Sequence, residues 1–144
     1  MDRWLVRSGD GTIEWLAYTI STLSCAVSKQ ELTCVGFSGE YWEPGGKREG
    51  GPFMGTVIAG ALGSPANAAG GFICDLSGLV YPGGDRLLVW RHKLRDGMPD
   101  AIVVSESNRA RVESLINDED EPALLARVHA SIDQAMRALC GASI

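Results

Sequence analysis

The sequence predicts an α/β fold in which helices pack on a mixed, mostly parallel sheet, with a β-hairpin added at the N-terminal end. Three observations lead there. The run Gly71-Phe72-Ile73-Cys74-Asp75-Leu76 has the length and apolar character of a strand covered on both faces. After it, strand-like and helix-like segments alternate, which is the pattern of βαβ crossovers. Before residue 40 the chain is instead rich in aromatic and β-branched residues broken by turn residues, as in antiparallel hairpins.

A chain of 144 residues is close to the size of one domain and long enough to bury its own core. Its 45% hydrophobic and 22% charged residues lie near globular averages and exclude disordered and fibrous classes. The formal net charge of −5 opposes a phosphate backbone, so nucleic acid is not expected as a partner. No run approaches the roughly 18 apolar residues of a membrane span, and Met1-Asp2-Arg3-Trp4 does not open a secretory signal. A cytoplasmic location without a membrane partner is the expectation. Cys25, Cys34, Cys74 and Cys140 form no C-x-x-C pair, and His92 and His129 are the only histidines, so no metal site is expected. The cysteines read as small apolar residues in a reducing compartment, with disulfide pairing left open.

In chain order, Trp4-Leu5-Val6-Arg7 and Ile13 to Ile20 predict a hairpin around Ser8-Gly9-Asp10-Gly11. A second extended pair is expected where Ser24 to Ser28 turns at Lys29-Gln30 into Leu32 to Ser38. Residues Glu43 to Pro52, rich in glycine and proline around Lys47-Arg48-Glu49, read as a mobile loop or lid. Its glycines do not have phosphate-loop spacing. Phe53 to Leu62 predicts a helix closed by Gly63-Ser64-Pro65, followed by the apolar strand at 71–76. Asp85 is placed to cap a helix bearing Leu87, Trp90 and Leu94 and stopped by Asp96-Gly97-Met98-Pro99. Ala101 to Val104 is a short strand, and Ser107 or Asn108 starts a helix carrying Val112, Leu115 and Ile116. The acidic run Asn117 to Pro122 reads as a solvated turn and lacks the ligand pattern of a calcium loop. Leu124 to Leu139 fits one long helix, but the capping-box spacing of Ser131 and Gln134 favours a strand through Leu125-Ala126-Arg127-Val128 and a new helix from Ser131.

Catalytic signals are thin. His92 and His129 read as exposed or structurally satisfied, neither Ser38 nor Ser64 sits in a G-x-S-x-G elbow, and Cys74 reads as buried and inert. No enzyme activity and no cofactor are expected. Among the tryptophans, Trp42 is the candidate for an interface, since it follows Tyr41 beside the Gly/Pro segment.

The string Phe72-Ile73-Cys74-Asp75-Leu76-Ser77-Gly78-Leu79-Val80-Tyr81 resembles the central strand of STAS domains, the fold of sulfate-transporter tails and anti-sigma factor antagonists. In that family the strand ends in a pattern like D-L-S-x-V-x-F and enters a D-S-S-G loop. The likeness extends over Leu32 to Leu139, up to the Ser131-capped helix. It implies one domain over 1–144, with residues 1–30 as a strand extension and 31–140 as a STAS-like core. It also implies a regulatory domain that binds a protein: an anti-sigma or kinase-like partner, a STAS homologue, or a second copy of itself. The expected contact residues are Tyr81, Pro82, Gly83, Gly84, Asp85 and Arg86, with Trp42 beside them. The chain departs from the family where it has Gly83-Gly84-Asp85-Arg86 in place of the phosphorylated D-S-S-G loop, which puts the serine switch in doubt. Asp85 then has two readings, a helix cap or a fixed carboxylate that partly imitates phosphoserine.

Two other function classes stay open. One is a small acidic inhibitor of the toxin-immunity kind, its charge steering a basic partner. The other is a small ligand-binding domain or enzyme using the Gly-rich region, which requires a pocket converging on Asp75, Ser77 and Asp85.

Overall fold

A computed structural model describes residues 3–7, 16–26, 28–41, 50–63, 70–83, 86–94, 97–119 and 121–141. They form one six-stranded sheet in the order β1-β2-β3-β4-β5-β6: β1 (Arg3–Arg7), β2 (Leu16–Ser24), β3 (Glu31–Glu40), β4 (Phe72–Val80), β5 (Asp100–Val103) and β6 (Val128–His129). The β1/β2 and β2/β3 pairs are antiparallel, and the three pairs from β3 to β6 are parallel. This is the mixed, mostly parallel sheet with an N-terminal hairpin that the sequence predicts.

Among the described residues, three helices and two 3-10 turns cover the sheet. Helix α1 (Gly50–Gly63), helix α2 (Arg109–Asp118) and the turns Val89–Lys93 and Pro122–Arg127 pack on one face, and helix α3 (Ile132–Cys140) packs on the other. β3 and β4 lie between the layers, which is why their apolar residues run without strict alternation. Val35, Phe37, Phe72, Cys74 and Leu76 join the α1/α2 core, while Leu32, Cys34 and Ile73 point into the smaller core under α3. In α1, Met54, Ile58 and Ala61 recur at helical spacing and are buried, and Pro52 sits in the first turn, where a missing N–H costs nothing.

Several elements differ from expectation. The pair expected around Lys29-Gln30 is not a separate hairpin: β2 runs unbroken to Ser24 and pairs with β3 along its whole length, closing at Ser24↔Glu31. Residues 50–52 belong to α1 and not to the Gly/Pro loop, of which 42–49 lie outside the described residues. The α-helix expected after Asp85 is replaced by the 3-10 turn Val89–Lys93. Its N–H groups bond three residues back, Val89 to Arg86 O, Arg91 to Leu88 O and Leu94 to Arg91 O, and Leu87, Leu88 and Trp90 are all buried. Likewise Pro122–Arg127 is a 3-10 turn, and only Val128 and His129 continue as a strand, paired to Ile102 and Val103. Here Arg127 leaves the strand direction to reach the carboxylate of Asp100.

The Ser131 start is as the spacing predicts. Ser131 Oγ accepts the Gln134 N–H at 3.2 Å, and Gln134 Oε1 accepts the Ala130 N–H at 3.0 Å. The cysteines divide. Cys34 and Cys74 are buried and not disulfide-bonded, but Cys25 and Cys140 form a disulfide across 115 residues, which closes the question of pairing left open by the sequence and corrects the apolar-residue reading for that pair.

Candidate functional site

The site is built on the last half of β4. Up to Asp75, β4 has partners on both sides, Val103 of β5 and Gly36 of β3. Beyond that point β5 has ended, and the pairing with β3 slips: Gly36 faces Asp75 while Ser38 faces Gly78, so β4 holds an extra residue. Bulges are uncommon in parallel pairs and leave backbone groups unpaired. Gly78 fits the tight spot, since a Cβ there would lie 3.1 Å from Ser38 Cβ and 3.3 Å from Phe37 O.

Two side chains take up the freed groups. Asp75 Oδ1 accepts the Ser77 N–H at 2.9 Å and the Ser77 hydroxyl at 2.6 Å. From the other side, Asn108 stands where β5 would have continued. Its amide NH2 donates to the carbonyls of Leu76 and Leu79, both at 2.9 Å, and its Oδ1 accepts the Ser105 N–H at 2.9 Å. Asn108 is 2% exposed, so these bonds are sheltered from water. The D-L-S string therefore has a local structural meaning: aspartate and serine close a bulge. Asp75→Ala is expected to cost about 1–2 kcal/mol, and Asp75→Asn, which keeps the acceptor, to recover most of it in urea denaturation.

The bulge sets the path by which the chain leaves the strand. Tyr81 is buried, its ring edge-on to Tyr41 at 5.4 Å, and the Tyr41 N–H donates to Val80 O at 2.9 Å. Tyr81 thus anchors the exit from beneath and does not stand on its surface. Pro82 is exposed, and its carbonyl accepts Arg111 Nη1 of α2 at 2.7 Å. Gly83 has φ of +143°, a conformation that favours glycine. Arg86 is exposed, and Val89, which follows it, is tied back by its N–H to Arg86 O at 3.2 Å. Gly84, Asp85 and Trp42 lie outside the described residues. Val80 at 61% and Val89 at 42% are the large apolar side chains exposed among the described residues, and they flank this segment at either end.

Sequence reasoning did not single out Val80, Val89 or Arg111, and it saw Asn108 only as a helix start. Exposure of a β-branched residue at a strand end is not visible in a pattern. The partners of Asn108 lie 32 and 29 residues away.

Elsewhere the chemistry is quiet. Burial above all, with Cys34, Asp75 and Asp100 nearby, pushes the Cys74 thiol up, so it is no nucleophile. Burial and then the Arg109 charge hold His129 below the usual imidazole range. Among the described residues no group of three or more His, Cys, Asp or Glu is placed to hold a metal, and no helix is long and apolar enough to cross a membrane. Asp75 and Ser77 line a cavity of about 230 Å³ with Thr19, Gly36 and Ser38, smaller than the roughly 300–1,000 Å³ of ordinary ligand clefts. A larger one of about 480 Å³ opens around Arg91, Asp100 and Arg127, at the other end of the parallel strands.

No protein-family model matches the chain, and no curated protein matches it in sequence. Among solved structures it is similar to the crystal structure of an anti-sigma factor antagonist from Mycobacterium paratuberculosis, with a TM-score of 0.56 and 19% identity. The likeness covers 85% of this chain and 95% of that one. The chain thus shares its overall fold, α/β with a mixed, mostly parallel sheet of the STAS-like kind, with that structure.

Proposed function

We propose that this chain is a non-catalytic regulatory domain that docks a protein partner on the segment leaving β4, at Pro82 to Arg86, with Tyr81 as its anchor and Trp42 as a further contact residue. The observation that carries the reading is the pair of exposed valines, Val80 and Val89, on either side of the strand exit, where Asn108 holds the Leu79 carbonyl, Tyr41 packs on Tyr81 and Arg111 holds the Pro82 carbonyl. Exposed apolar side chains on a preordered segment bind without a large ordering cost. Exposed Arg86 and Arg111 add positive charge to the same region, which selects an acidic patch on the partner.

An anti-sigma or kinase-like protein is the partner this reading favours, with a STAS homologue or a second copy of the chain as the competing occupant. Gly83-Gly84-Asp85-Arg86 offers no hydroxyl, so docking here is not switched by serine phosphorylation of this segment. The reading places the interaction in the cytoplasm.

The test is calorimetric titration of an anti-sigma-type kinase domain from the host organism. Arg86→Glu and a Val80→Asp/Val89→Asp double variant are each expected to weaken binding at least about tenfold with unchanged circular dichroism, as hot-spot loss does. Unchanged affinity in both would remove this segment from the interface, and self-association without kinase binding would favour the second copy.

A further inference from the structure

We propose that the Cys25–Cys140 disulfide is a thiol-responsive latch that holds α3 against the sheet, so that its reduction frees α3 and uncovers the apolar strip beneath. The proposal does not depend on where a partner docks.

The two ends of the bond are unlike. Cys25 sits in the tight turn between β2 and β3, where its N–H donates to Gln30 O at 2.8 Å and its carbonyl accepts the Lys29 N–H at 3.0 Å. Gln30 Nε2 ties that turn to Gly70 O at 2.9 Å, just before β4. Cys140, in contrast, is the last residue of a nine-residue helix. A helix that short is marginal in water without help from tertiary contacts. Those contacts are modest here: Ala135 alone is fully buried, and Ile132, Met136, Leu139 and Cys140 are only partly covered. The bond closes a loop across 115 residues, the kind whose cross-link most restrains the open chain. When it is cut, the turn keeps its own hydrogen bonds and the helix loses its tether.

Among the described residues, α3 is the element that covers Leu23, Leu32, Ile73, Ala101 and Val103. Its departure would join that strip to the part of the same face around Thr19, Gly36, Ser38 and Asp75, which no described element covers, in one surface with an apolar end.

The chemistry needs a dithiol reductant. Cys25 is 1% exposed and Cys140 partly exposed, so a reductant thiolate attacks Cys140 Sγ. The S–S bond breaks and Cys25 leaves as thiolate, then takes a proton. The second thiol of the reductant attacks the mixed disulfide, Cys140 leaves and is protonated, and the reductant departs oxidised by two electrons. In a reducing compartment such a bond is transient, which suits a switch better than a permanent staple.

Hydrogen–deuterium exchange on the full chain tests this in the oxidised, dithiothreitol-reduced and reoxidised states, with a Cys25→Ser/Cys140→Ser variant alongside. Residues 132–140 are expected to exchange at least about tenfold faster after reduction and in the variant, with β3, β4 and β5 unchanged, and to recover on reoxidation. Reductant should have no effect on the variant. Equal protection of α3 in both states overturns the proposal, as does loss of protection everywhere at once on reduction of the natural chain. A mass showing all thiols retained under oxidant overturns it as well.

Discussion

Replacing Arg91 and Arg127 together by methionine is expected to destabilise the protein by about 3–5 kcal/mol, more than replacing Asp100, the acid they hold, by asparagine. Asp100 opens β5, and its side chain is fully buried. Arg91 Nε reaches its Oδ2 at 3.2 Å, Arg127 Nη1 meets its Oδ1, and Arg91 Nη1 also meets Glu121 Oε2 at 3.0 Å. The asymmetry lies in access to water. Arg91 and Arg127 are 24% and 46% exposed, so they rehydrate when the acid is removed. The carboxylate has no such escape when the arginines go, and an uncompensated buried charge is the costlier defect. Urea denaturation of R91M/R127M, of D100N, and of the triple variant carrying Asp100→Leu measures the order. The triple variant is expected to regain most of the loss, because it leaves no buried charge behind. If D100N is the least stable of the three, the arginine stems and not the buried charge hold the two 3-10 turns to β5.

Asn108→Ala is expected to lower stability by about 2–4 kcal/mol, since it leaves the Leu76 and Leu79 carbonyls and the Ser105 N–H buried without partners. Size is not the issue, which Asn108→Asp shows. An aspartate keeps an acceptor for Ser105, but at neutral pH it cannot donate to two carbonyl oxygens, and it adds a buried charge. It is therefore expected to be at least as damaging as alanine. The defect should spread along a definite path: hydrogen exchange at residues 76–81 should rise in both variants, while α3 keeps its protection. A merely local loss at the α2 start, with β4 unchanged, would separate Asn108 from the segment that leaves the strand.

These two clusters mark where reading the sequence stops. The strand from Phe72, the start of α2 at Asn108 and the start of α3 at Ser131 are legible because an apolar run and a capping pattern are properties of neighbours in the chain. The STAS-like likeness is carried by the same local strings in the same order. Asp100 drew no notice, since its cations lie 9 and 27 residues away, and Asn108 looked like an ordinary cap. The spacing after Asp85 matched a helix equally well, but the segment bonds as a 3-10 turn and leaves at Leu94 with extended backbone. Sequence by itself determined the fold class, the covered central strand and the starts of α2 and α3, because local propensity and polarity decide those. Only the tertiary structure decided which backbone groups the β4 bulge leaves to Asp75 and Asn108, which cysteines meet, and which valines face outward. Those depend on groups that meet only when distant parts of the chain pack together.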